Sequence, residues 1–231
     1  MKHLFLSTAL LLAAASAYAQ TAPGTVLLNG GIGYSSDKME TPATQYTPAI
    51  NSENKQFSFT PRVGVFVANN LAVGLQGGFE SSELRQPQAY YPGSGWLQPT
   101  YTTLIRKITA FQVGPFVRYY QMVGEKAGFY GQLAGGYGKQ KTKTSYDNMS
   151  SAGDTYEAKG GFADITPGFV FFPTDKFGLE LTLGSLGYSS MKEKLTDPAV
   201  NTAPETKMTS LQARFGLSQL MLGASFHLGG K

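Results

Sequence analysis

No cysteine occurs in this chain of 231 residues, and only two histidines do. The first absence excludes a disulfide framework, a thiolate metal site and lipid attachment at a cleavage-site cysteine. The second argues against a transition-metal centre, which leans on imidazole where thiolate is missing. Charge is scarce, with Asp, Glu, Lys and Arg making up 15% of the residues, and tryptophan occurs once. No segment reaches the roughly 18 apolar residues of a membrane-spanning helix. Neither a P-loop nor a dinucleotide fingerprint is found, so no cofactor is expected.

The N-terminus has the pattern of a secretory signal. Lys2 and His3 precede an apolar run, Leu4 to Ala15, that is too short to cross a bilayer. Ala17-Tyr18-Ala19 then supplies the small residues of a cleavage site. The expected organisation is a signal peptide over 1–19 and one β domain over 20–231. Loss of Lys2 would leave 18 basic residues against 15 acidic ones, a net charge of about +3. That excess is spread along the chain, and no basic stripe suited to nucleic acid appears.

Glycine (28), phenylalanine (15) and tyrosine (13) are plentiful. Three stretches containing them nearly repeat. Phe59-Thr60-Pro61-Arg62-Val63-Gly64-Val65-Phe66 returns as Val113-Gly114-Pro115-Phe116-Val117-Arg118-Tyr119-Tyr120, and again as Ile165-Thr166-Pro167-Gly168-Phe169-Val170-Phe171-Phe172. Each copy leads into a short polar turn and a second alternating stretch, which reads as a repeated hairpin in an all-β array. The prolines lack a ladder donor, although a closed barrel has no edge to place them on. Two readings stand: a bend or bulge at one height in three strands, or an unbonded outward position in an otherwise complete ladder.

Eight alternating segments follow from the period of two. Val26, Leu28, Ile32 and Tyr34 share one face of the first. Phe57, Phe59, Pro61, Val63 and Val65 do so in the second, and Leu71, Val73, Leu75 and Phe79 in the third. Phe111, Val113, Pro115, Val117 and Tyr119 mark the fourth, and Phe129, Leu133 and Tyr137 the fifth, over about Gly128 to Lys139. Ile165, Pro167, Phe169 and Phe171 mark the sixth; Phe177, Leu179, Leu181 and Leu183 mark the seventh, opposite Gly178, Glu180, Thr182 and Gly184. In the eighth, Leu211, Ala213, Phe215 and Leu217 are out of phase with Leu220, Leu222, Ala224, Phe226 and Leu228, which predicts a bulge near Ser218-Gln219. Strands of roughly 10 to 13 residues suit a tilted bilayer crossing. Short turns at Asn69-Asn70, Gly124 to Lys126 and Thr174 to Lys176 alternate with long polar loops near 36–55, 82–105, 140–158 and 190–209. This predicts an eight-stranded antiparallel up-and-down transmembrane β-barrel. A lipocalin-like soluble barrel would need an apolar lumen and a polar exterior. Here the more continuous face is the apolar one, and its aromatics lie near both strand ends.

The run Phe57 to Phe79, with Val113 to Tyr120, Ile165 to Leu183 and Leu217 to Leu228, resembles the small outer-membrane β-barrel family that includes OmpA-type transmembrane domains and OmpX. The resemblance implies residence in a bacterial outer membrane and insertion by the barrel assembly machinery. Related barrels usually end on an aromatic residue, whereas this chain continues past Phe226 as His227-Leu228-Gly229-Gly230-Lys231.

If the apolar face meets lipid, the alternating charges point inward, because a midplane arginine in hydrocarbon costs roughly 2–4 kcal/mol. An eight-stranded barrel is only wide enough for side chains to fill. Arg62, Arg118 and Glu180 with Gln76, Gln132 and Tyr130 are therefore expected to form a hydrogen-bonded plug or gate. Glu80 and Asp164 point into the same lumen, higher up. No catalytic residue is expected: with the signal removed only His227 remains, at the turn-side end of the last strand. Asp37, Glu40 and Glu53 read as solvated loop acids, so no metal site is expected. Tyr90, Tyr91, Trp96 and Tyr101 in the second long loop suit contact with an external protein or glycan, or packing on the barrel rim. Lys139, Lys141 and Lys143 alternate, and fit either lipopolysaccharide phosphates or a solvated strand extension. Three functions remain open: a non-enzymatic barrel serving envelope integrity or surface contact, a narrow non-specific diffusion channel, and a lipid-modifying enzyme.

Overall fold

A computed structural model describes residues 20–43, 49–90, 100–147, 154–196, 204–216 and 220–229, with Ala89, Tyr90 and Thr100 described by backbone alone. The expected signal segment lies outside the described residues. Among the described residues ten strands, all antiparallel, form one sheet: β1 (Val26–Thr41), β2 (Ile50–Ala68), β3 (Leu71–Tyr90), β4 (Thr100–Met122), β5 (Ala127–Tyr146), β6 (Thr155–Thr174), β7 (Phe177–Thr182), β8 (Gly184–Leu195), β9 (Thr206–Phe215) and β10 (Met221–Leu228). Each of β1 to β6 pairs with the next, β6 pairs with both β7 and β8, and β10 pairs with β7 and β1. Among the described residues β9 pairs with β8 alone, so the up-and-down ring closes through β10, on the side of the short turns.

The expected eight continuous strands need correction. The ring has eight positions, but two strands in series fill the seventh and two fill the eighth. β7 ends at Thr182 and β8 begins at Gly184, whose φ of +119° is open to glycine. Against β6, Gly168 pairs with Thr182 but Ile165 pairs with Leu186, a one-residue bulge in the seventh position. Leu183 and Gly184 thus do not continue the alternation of Leu179 and Leu181; beyond the bulge it is Leu186 and Tyr188 that are exposed. The expected bulge at Ser218-Gln219 lies outside the described residues, between the end of β9 at Phe215 and the start of β10 at Met221.

A second correction concerns strand length. β3 and β5 each run 20 residues and β4 runs 23, far beyond the 10 to 13 expected. Most of the segments read as long polar loops are paired strand, from Lys38↔Glu53 in the first to Lys192↔Lys207 in the last. Threonine, lysine and glutamate alternate there without apolar contrast, so the period carries no face signal. The short turns match expectation, and the first is closed by Asn70 at φ 65°.

The prolines are accommodated by unpaired stretches of ladder, always toward the following strand. Between β2 and β3, pairing stops at Phe59↔Phe79 and resumes at Arg62↔Gln76, so Pro61 faces glycines Gly77 and Gly78. Between β4 and β5, it stops at Val113↔Tyr137 and resumes at Phe116↔Ala134, leaving Pro115 against Gly135 and Gly136. The register is unchanged across both gaps, which favours the unbonded outward position over the bulge. Pro167 differs, since its carbonyl accepts from Leu183 N at 3.0 Å and its ring nitrogen faces the β7–β8 bulge.

The exterior is apolar. Ile32, Leu211 and Leu222 are 72%, 74% and 79% exposed, and Val63, Leu75, Val113, Leu133, Ile165 and Leu179 are also exposed. Two aromatic rows bound this belt. Phe57, Phe79 and Phe111 pack as tilted rings along the side of the long connectors, with centroids 6.1 and 5.0 Å apart. Phe129–Phe169 and Phe177–Phe226 pair near the short turns at 5.6 and 5.2 Å. From Phe111 to Tyr119 in β4 the chain descends about 26 Å along the strand, or about 20 Å along the axis of a barrel with strands tilted by about 40°.

Candidate functional site

The lumen is closed by side chains at two levels. In the middle, Arg118 on β4 and Glu180 on β7 point inward by strand parity and meet as an ion pair, 1% and 4% exposed. Arg118 Nη1 donates to both carboxylate oxygens of Glu180, at 2.8 and 2.9 Å. Its Nε and Nη2 donate to Gln132 Oε1 at 3.0 and 2.8 Å, and the guanidinium lies 4.3 Å from the Tyr130 ring centroid. Gln132 Nε2 passes the chain to Gln76 Oε1 at 3.0 Å. Arg62 Nε donates to the same Gln76 oxygen at 3.4 Å, and Arg62 Nη1 to Asn29 Oδ1 at 2.8 Å. Asn29 Nδ2 completes it at the Ala224 carbonyl, 3.2 Å away. One hydrogen-bonded chain therefore links β7, β4, β5, β3, β2, β1 and β10 across the lumen.

Six of the eight expected lumen residues come together in this way: Arg62, Arg118, Glu180, Gln76, Gln132 and Tyr130. Glu80 and Asp164 do not join them. Glu80 accepts from Gln56 Nε2 at 2.9 Å, and Asp164 from Thr166 Oγ1 at 3.3 Å. Glu80 borders a cavity of about 220 Å³ that opens above the plug, between Ser58, Thr60, Gln112, Gln140 and Phe162. Asn29, Tyr120 and Thr182 are network members not singled out from the sequence. Tyr120 accepts from Arg118 Nη1 at 3.1 Å, and the Thr182 hydroxyl lies 3.1 Å from that of Tyr130.

Below the plug the lumen is apolar, contrary to the polar interior read from alternation. Leu27, Phe66, Phe116, Tyr120, Val170 and Phe172 pack there as one buried cluster. Gly64 and Gly74 leave no room for a side chain: a Cβ would meet the paired backbone first, at the Val73 and Val63 carbonyl oxygens, and then the Phe116 ring at 3.0 and 2.8 Å. His227 sits in the cluster, with the Phe172 ring edge-on at 4.9 Å and Phe66 at 5.6 Å. Its Nδ1 donates to the Gln20 carbonyl at 2.7 Å. Residues 20–25 close the turn-side end. Gly24 N donates to the Phe66 carbonyl at 2.8 Å, Phe66 N to the Thr25 carbonyl at 2.9 Å, and Asn70 N to the Thr21 carbonyl at 3.0 Å.

Above the upper aromatic row the exterior turns charged. Glu83 binds Arg85 and Lys107 at 2.6 and 3.1 Å; Glu157 binds Lys159 and Lys139 at 3.2 and 3.3 Å; Glu53 binds Lys55 and Lys38 at 3.0 and 3.6 Å. These hydrogen-bonded cations hold all three carboxyls below the usual carboxylate range, led by Arg85, Lys159 and Lys55 respectively. Of the expected contact loop, Tyr91 and Trp96 lie outside the described residues, as does the Tyr90 side chain. Tyr101 is exposed on β4. Asp37, Glu40 and Glu53 lie in the paired ends of β1 and β2 rather than in a loop.

The chain is similar in structure to the outer membrane protein OprG from Pseudomonas aeruginosa, with a TM-score of 0.45 and 14% identity over 92% of this chain and all of that one (100%). It is also similar to Ail, the attachment invasion locus protein of Yersinia pestis, at a TM-score of 0.38 and 17% identity over 89% of this chain and 99% of that one. No family model and no curated protein sequence matches the chain.

Proposed function

We propose that this protein is a non-enzymatic integral β-barrel of a bacterial outer membrane, serving envelope integrity or surface contact through its long connectors. One observation carries the reading. A ring of strands, closed through β10, presents exposed Val, Leu, Ile and Phe around its middle, bounded by aromatic rows, while Arg118 and Glu180 meet inside. In water such a belt is an aggregation surface far larger than a soluble monomer carries. In a bilayer it is the lipid contact, of about the height a barrel of this kind requires.

The interior supports a scaffold rather than a diffusion channel. A solute would have to part the Arg118–Glu180 pair and then pass Phe66, Tyr120, Phe172, His227 and residues 20–25. The surroundings of His227 likewise favour no hydrolytic role: they are three aromatic rings and a backbone carbonyl at the narrow end. Partners in this reading are outer-membrane lipid, including lipopolysaccharide, the barrel assembly machinery during insertion, and an external protein or glycan at the connectors.

The test is reconstitution of the chain without its first 19 residues into liposomes. The reading predicts heat-modifiable gel mobility, protease protection of the strands and no steady conductance in planar bilayers. A monodisperse protein in detergent-free buffer would overturn the membrane reading, and a steady open conductance would overturn the scaffold.

A further inference from the structure

Above the upper aromatic row, the outer face of β4 and β5 holds a cleft of about 420 Å³ lined by Lys107, Thr109, Phe111, Lys139, Lys141 and Lys143. The register places Lys107 opposite Lys143, Thr109 opposite Lys141 and Phe111 opposite Lys139. Directly opposed like charges destabilise an antiparallel pair, so this concentration of lysine works against the sheet unless something neutralises it. The neighbouring acids do so only in part. Glu83 holds Lys107 and Arg85, and Glu157 holds Lys139 and Lys159. Lys141 is in register with Glu157, yet that carboxylate is engaged by its two other partners. Among the described residues, Lys141 and Lys143 have no acidic partner.

The placement narrows the missing anion. The lysines stand on the lipid-facing side of the wall beside Phe111, whose ring packs tilted against Phe79 at 5.0 Å. A ligand filling this cleft meets ammonium groups at its upper end and aromatic edges at its lower end. That is the chemistry of a headgroup joined to acyl chains, at the depth where hydrocarbon gives way to headgroup.

We propose that this cleft binds a phosphate on the headgroup of an outer-leaflet glycolipid. Lys141 and Lys143 supply the charge-assisted hydrogen bonds, and Phe111 lies against the start of the acyl chains. The proposal rests on the barrel standing in a bilayer, as argued above, and adds the lipid class and the face that holds it. The extension of β4 and β5 past the aromatic row then has a use: it carries the lysines to headgroup height as rigid, paired strand.

The experiment is native mass spectrometry of the folded barrel in non-ionic micelles, with a bisphosphorylated acyl-disaccharide and its dephosphorylated form as probes. The phosphorylated lipid should be retained and the dephosphorylated one lost. Each lysine near a lipid phosphate contributes about fivefold in affinity, so Lys141→Gln with Lys143→Gln should weaken retention by about 25-fold. Lys38→Gln with Lys55→Gln removes equal charge elsewhere on the upper exterior and should leave retention unchanged. Inorganic phosphate in excess should not displace the lipid, since it lacks the apolar part. Equal retention of both lipids, an unaffected Lys141/Lys143 variant, or displacement by free phosphate would overturn the proposal while leaving the barrel intact. Failure to obtain a heat-modifiable folded species in micelles would overturn the barrel reading, and this one with it.

Discussion

Arg118 and Glu180, 62 residues apart in the chain, meet inside the barrel with Nη1 at 2.8 and 2.9 Å from the two carboxylate oxygens. Neither side chain reaches solvent, and every other guanidinium contact of Arg118 goes to Gln132, Tyr120 or Tyr130. Removing one partner strands a buried charge, which costs about 3–5 kcal/mol. Arg118→Leu and Glu180→Leu should each lower the urea midpoint of the reconstituted barrel accordingly. The double variant should be less destabilised than the sum of the two, because no lone charge remains. A strictly additive double variant would show that the pair is not a coupled unit.

The gaps opposite the prolines predict a contrast among glycines. A Cβ on Gly114 would collide with the Gly135 carbonyl oxygen, and one on Gly136 with the Val113 carbonyl oxygen. Gly131 has open space around it. Gly114→Ala and Gly136→Ala should therefore cost about 1–3 kcal/mol by overpacking, while Gly131→Ala should change stability by less than about 0.5 kcal/mol. Pro115→Ala should be tolerated as well, since the N–H it restores faces an unpaired stretch. Folded fraction by gel mobility after urea exposure reads all four.

Glu157, flanked by Lys159 and Lys139 outside the bilayer belt, is held below the usual carboxylate range by those partners. A depressed carboxyl contributes its stabilisation fully above its unfolded pKa, about 4.3, and loses it as pH falls through the lower folded value. Carbon-detected NMR of the labelled side chain should place its titration below that of a free glutamate. Lys139→Gln with Lys159→Gln should return it to the ordinary range. Exposure makes the effect on global stability small.

Much of this arrangement was legible because a barrel wall of constant register preserves parity. Once Val113, Val117 and Tyr119 are taken as outward, Arg118 is inward, and the same logic brings Arg62, Gln76, Gln132 and Glu180 to it. Parity says nothing of height, however. Glu80 and Asp164 share the inward face but sit above the plug, each bordering a different cavity, where they find local partners instead. The bulge at Leu183-Gly184 left a trace, apolar residues shifting from odd numbers to even at Leu186 and Tyr188. Leu183 and Gly184 fit either phase and hide it. The apolar lower lumen was missed because Phe66, Phe116 and Phe172 lie among glycines on the inward face, where large rings read as exceptions to the alternation. They are what fills the space those glycines leave. The long strand extensions were missed because alternating threonine, lysine and glutamate look the same in a paired wall exposed to water as in a loop.

The central claim is that odd-numbered β4 residues face lipid and even-numbered ones the lumen. The absence of native cysteine allows a direct measurement. Single cysteines at Phe111, Gln112, Val113 and Val117 would be spin-labelled in the reconstituted protein, and collision rates measured with oxygen, which partitions into lipid, and with a water-soluble nickel chelate. The labels at Phe111, Val113 and Val117 should favour oxygen, and the label at Gln112, which borders the upper cavity, should not. Oxygen preference at Gln112 equal to that at Val113, or nickel preference at all four positions, would contradict the membrane-spanning barrel.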